Sequence, residues 1–73
     1  MDERILNKIP RATLSRLEDY VNLVHIGAST EYAIAKIITA CSVLYDCGFL
    51  TMAERAEVSR YFRTLAKEGS AES

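Results

Sequence analysis

The sequence predicts an all-α fold: a small three-helix domain, built as a helical hairpin plus an additional N-terminal helix and expected to pair as a dimer. Three observations lead there. Apolar residues recur at intervals of three and four through most of the chain, and the isoleucine-rich middle segment does not alternate with period two. Gly27, Gly48 and Gly69 fall where these patterns stop, as helix C-caps do. Ser29, Thr30 and Thr51 follow the first two glycines, where a new helix needs an N-cap. With 73 residues the chain suffices for one domain, read as residues 1–68 with a frayed tail over 69–73.

Each element has its own reason. Asp2 to Lys8 suits one or two helical turns, with Ile5, Leu6 and Ile9 apolar; Pro10 interrupts this segment or opens the next helix. From Arg11 to Ile26, Leu14, Leu17, Val21 and Val24 form an apolar stripe flanked by Tyr20. Gly27 then ends the helix, with His25 in the last turn. Ser29 or Thr30 caps a helix running to about Cys47, with Glu31 in its first turn. On a helical wheel Ile34, Ile37, Ile38, Cys41, Leu44 and Tyr45 oppose a polar sector about 120° wide, which predicts a central helix with several neighbours. Gly48 closes it, with Phe49 placed to pack back on it. "TMAE", Thr51 to Glu54, is a capping box and a firm helix start. Val58, Phe62 and Leu65, with Tyr61 and Ala66 beside them, make the inner face of the last helix, which Gly69 is expected to end.

The Gly48 corner invites comparison with a DNA-reading helix-turn-helix. That motif needs a small residue four before the turn glycine and apolar residues six and nine after it, so that the helices cross closely on a shared core. Here those positions hold Leu44, Glu54 and Glu57. Gly27 fares no better, with Leu23 and Lys36 at the corresponding places. The stretch "GFLTMAE" resembles the glycine, apolar, Leu-Thr, acidic corner of SHOCT-type helical hairpins over under a third of the chain. Arg55 stands where an aromatic would follow in that motif, so the likeness is one of capping chemistry.

Composition narrows the function. The chain is 49% hydrophobic and 26% charged with net charge -1, so it is globular and has no overall pull toward polyanions. No apolar run approaches the roughly 20 residues that span a bilayer, and the N-terminus has no secretory h-region, so a cytoplasmic protein without membrane attachment is expected. Cys41 and Cys47 lie about 9 Å apart along one helix, too far for an intrachain disulfide, and are expected as free thiols. One histidine with no paired cysteines makes no recognisable metal site, three isolated glycines cradle no phosphate, and no activating group accompanies the thiols. No catalytic, cofactor-binding or metal-binding residue is assigned, and the chain is expected not to be an enzyme.

Two sets of residues remain. Tyr32, Lys36, Thr39, Val43 and Asp46 recur at heptad-like spacing on the side of the middle helix turned away from the core. Either the first helix or the N-terminal turn covers this line, or it is a partner surface, to which tyrosine and alkyl stems are suited. Arg4, Lys8, Arg11 and Arg16 make the N-terminal third locally basic, bracketed by Asp2, Glu3, Glu18 and Asp19. The expectation is therefore a non-enzymatic protein–protein interaction module: a regulator, inhibitor or adaptor that binds a larger protein and forms a homodimer. The alternative is a nucleic-acid or nucleotide-phosphate binder using the basic set.

Overall fold

The computed structural model describes residues 1–72, with side chains through Gly69. The expected tail's last residue, Ser73, lies outside the described residues. The chain forms α1 (Glu3–Leu6), α2 (Arg11–His25), α3 (Thr30–Asp46) and α4 (Met52–Glu72), and no strand occurs among the described residues. The fold class is all-α, with four helices where three were expected, because the N-terminal segment makes a separate turn. Asp2 caps α1 by accepting a bond from the Arg4 backbone N–H at 2.9 Å. Two further turn bonds, Lys8 N–H to Ile5 C=O and Ile9 N–H to Leu6 C=O, carry Ile9 into the core. Pro10 then occupies the N-cap of α2 with extended ψ, and its carbonyl accepts the Leu14 N–H.

Two of the three predicted glycine stops are present. Gly27 and Gly48 have φ of +102° and +83°, and no atom crowds either Cα, so the left-handed backbone is what demands glycine there. At each, the paired bonds of a Schellman motif close the helix: Ala28 N–H to Leu23 C=O with Gly27 N–H to Val24 C=O, and Phe49 N–H to Leu44 C=O with Gly48 N–H to Tyr45 C=O. Ser29 caps α3 through its side chain. The capping box at the start of α4 is reciprocal: Thr51 Oγ1 accepts from Glu54 N–H at 3.1 Å, and Glu54 Oε1 accepts from Thr51 N–H at 2.9 Å.

Gly69 does not end α4. The helix runs through it to Glu72, so the tail expected to fray from residue 69 is helical as far as it is described. A Cβ at Gly69 would stand 2.6 Å from the imidazole of His25. Glycine is there to let the C-terminal end of α2 lie against α4, and it does not cap.

The core joins Leu17, Val21 and Val24 of α2, Ala33, Ile37, Cys41 and Leu44 of α3, and Val58, Phe62 and Ala66 of α4, closed by Ile9 and Leu50 at the end where α4 begins. The helix that packs substantially on all the others is α4 rather than α3. At 21 residues it is about 31 Å long and sets the 35 Å long axis. The apolar side of α3 is correspondingly narrower than its wheel suggested. Ala33 is fully buried, whereas Ile38 is 43% exposed and Ile34 and Tyr45 lie at the margin. Phe49 also stays exposed, and Leu50 takes the buried place at that corner.

Candidate partner surface on α3 and the groove beside it

Seventeen residues of regular helix, capped at both ends, hold the outer line of α3 straight. All five of its residues, Tyr32, Lys36, Thr39, Val43 and Asp46, are exposed; neither α2 nor the N-terminal turn covers them. Tyr32 and Val43 are 51% and 53% exposed, high for side chains of their kind. The Lys36 ammonium lies 5.4 Å from the Tyr32 ring centroid, one turn back along the helix, in cation–π contact. Thr39 Oγ1 donates to the Ala35 carbonyl at 2.9 Å, so its hydroxyl proton is already satisfied within the helix. Asp46 occupies the last turn of α3, where no basic residue offsets it and the helix dipole disfavours an anion.

Beside this line runs a groove of about 400 Å³ between α2 and α3. Lys36, Thr39 and Val43 form one wall with Ala40; Arg16 and Tyr20 stand on the other. Tyr20, legible in sequence only as a flank of the apolar stripe, is half-buried because it lines this groove.

The basic set does not come together. Lys8 Nζ is 2.6 Å from Glu54 Oε2, which ties the N-terminal segment to the capping box of α4. That bond, with the Thr51 N–H, holds the Glu54 carboxyl below its ordinary range. Arg4 is exposed on α1; Arg11 and Arg16 are exposed on α2 but five residues apart, about 140° around its axis. Only Arg16 joins Lys36 at the groove. No sequence signal marks the Lys8–Glu54 pair, because its partners are 46 residues apart.

A second hollow, about 300 Å³, opens between α3 and α4 at Ile38, Cys41, Arg55, Ser59 and Arg63. Arg55 stacks over Tyr45 at 5.1 Å, and Arg63 Nε donates to the Ser59 carbonyl at 3.2 Å. Burial pushes the Cys41 thiol up to about 11, only partly countered by the Arg63 and Arg55 charges. It is therefore a poor nucleophile at neutral pH. Cys47 is exposed, and both cysteines are free. Among the described residues no three His, Cys, Asp or Glu side chains converge as metal ligands, and no helix is long and apolar enough to cross a membrane.

No family model matches this chain, and neither a curated protein nor a solved structure matches it.

Proposed function

We propose that this chain is a non-enzymatic protein–protein interaction module, a regulator, inhibitor or adaptor that binds a larger protein in the cytoplasm and also self-associates. The exposed outer line of α3, continuous with the α2–α3 groove, is the observation that supports this reading. Its residues suit a protein partner: an aromatic ring, an alkyl side chain, a lysine stem and a hydroxyl already bonded internally can all be covered at little desolvation cost. The dispersal of Arg4, Lys8, Arg11 and Arg16, one of them in an ion pair, weighs against a polyanion as the main ligand.

The test is affinity capture from the native host, comparing the parent, Val43→Glu and the surface control Arg60→Glu on α4. Proteins held by the parent and the control but lost with Val43→Glu are the expected result. Identical capture by all three, or capture of nothing specific, overturns the assignment.

A further inference from the structure

Resting on the reading of α3 as an interaction surface, we infer that in the absence of the larger partner the occupant of its outer line is a second copy of this chain, docked antiparallel, α3 against α3. The spacing of the line is strictly alternating: four, three, four and three residues separate Tyr32, Lys36, Thr39, Val43 and Asp46. That is the seam of a two-helix coiled coil, laid on the side of α3 opposite its core face.

Charge decides the direction. In a parallel pair each residue of the seam meets its own copy, so Lys36 faces Lys36 and Asp46 faces Asp46, and both charged layers are repulsive. In an antiparallel pair with the two-fold axis between Ile37 and Ile38, Tyr32 of each copy meets Val43 of the other and Lys36 meets Thr39. The Lys36 ammonium already leans toward Tyr32, which lies away from that axis, so the two cations diverge. Thr39 can be covered because its hydroxyl donates to Ala35 within its own helix.

The ends of the seam also fit. Asp46, unfavourably placed at the C-terminal end of its own helix, comes beside the Ser29 cap of the other copy's α3. There the partial positive charge of the helix start favours a carboxylate. Glu31 is in that first turn too, but it projects about 100° around the axis from Tyr32, off the seam. Each misfit of the isolated helix is thus answered by the other copy, twice per dimer as two-fold symmetry requires.

Cross-linking tests this geometry. In a Cys47→Ser background, which removes the exposed thiol, Tyr32→Cys and Val43→Cys proteins are oxidised separately and as a mixture. An antiparallel dimer gives a 32–43 disulfide in the mixture and little product from either protein alone, since the like positions lie about 16 Å apart along the axis. Self-cross-linking of the separate proteins, or no product in the mixture, overturns it. Independently, Asp46→Lys should raise the dimer dissociation constant about tenfold or more, read by sedimentation equilibrium. An unchanged constant refutes the role given to Asp46. Light scattering of the parent at tens of micromolar should give twice 8.2 kDa. A monomer there defeats this inference and the self-association, while a larger protein captured through Val43 still supports the interaction module.

Discussion

Ile37 and Ile38 are neighbours of identical chemistry, and the fold gives them opposite fates. Ile37 is completely buried in the contact of α3 with the other helices, whereas Ile38 is 43% exposed at the edge of the α3–α4 hollow. Truncating Ile37 to alanine removes three carbons from a closed site. At about 0.8 kcal/mol per carbon the lost transfer free energy is roughly 2.4 kcal/mol, and an unrelaxed cavity adds to it. The expected loss is about 3–4 kcal/mol, a large share of the about 4–11 kcal/mol that a chain of this length commands. At Ile38 only part of the side chain leaves water on folding and no closed cavity forms, so the same substitution should cost about 1 kcal/mol. Urea denaturation followed by far-UV circular dichroism, at equal protein concentration, measures both. With a slope near 1 kcal/mol per molar, the midpoint should fall by about 3 M for Ile37→Ala, if it still folds, and about 1 M for Ile38→Ala. Equal losses, or a larger loss at Ile38, would mean that the phase of α3 against α4 is wrong.

Two further outcomes follow from the titratable groups. The Glu54 carboxyl lies below its ordinary value of 4.5, so its stabilising contribution is full above the unfolded value and lost as pH falls through the folded one. Acidifying from about pH 6 to about pH 3 should therefore lower the parent's denaturation midpoint more than that of Glu54→Gln, and parallel curves would contradict the Lys8–Glu54–Thr51 network. For the thiols, alkylation at about pH 8 should modify Cys47 quickly and Cys41 only after denaturant is added. Equal rates at the two positions would show that Cys41 is not enclosed.

The sequence by itself determined the three long helices and their ends as far as the start of α4, but not where α4 stops. Gly27 and Gly48 were legible as stops because a left-handed cap is a local demand of the backbone, and "TMAE" was legible as a start because a capping box closes within four residues. Leu17, Val21, Ile37, Leu44, Val58 and Phe62 were legible as core because their spacing fixes which face they share. The five residues of the outer α3 line were legible for the same reason, since a helix wheel says which residues stand together. It does not say what lies against them. That depends on where the other helices sit, and only the tertiary structure left the line uncovered and placed Arg16 and Tyr20 across a groove from it. The same limit explains Ile38, which the wheel put inside and the hollow between α3 and α4 left at the edge. Gly69 shows it most plainly: by spacing it resembles Gly27 and Gly48, but its glycine is required by the ring of His25, 44 residues earlier, approaching across the interface of two helices. Local rules fix what a residue can do within its own turn, and close approach between distant segments is set only when the whole chain has packed.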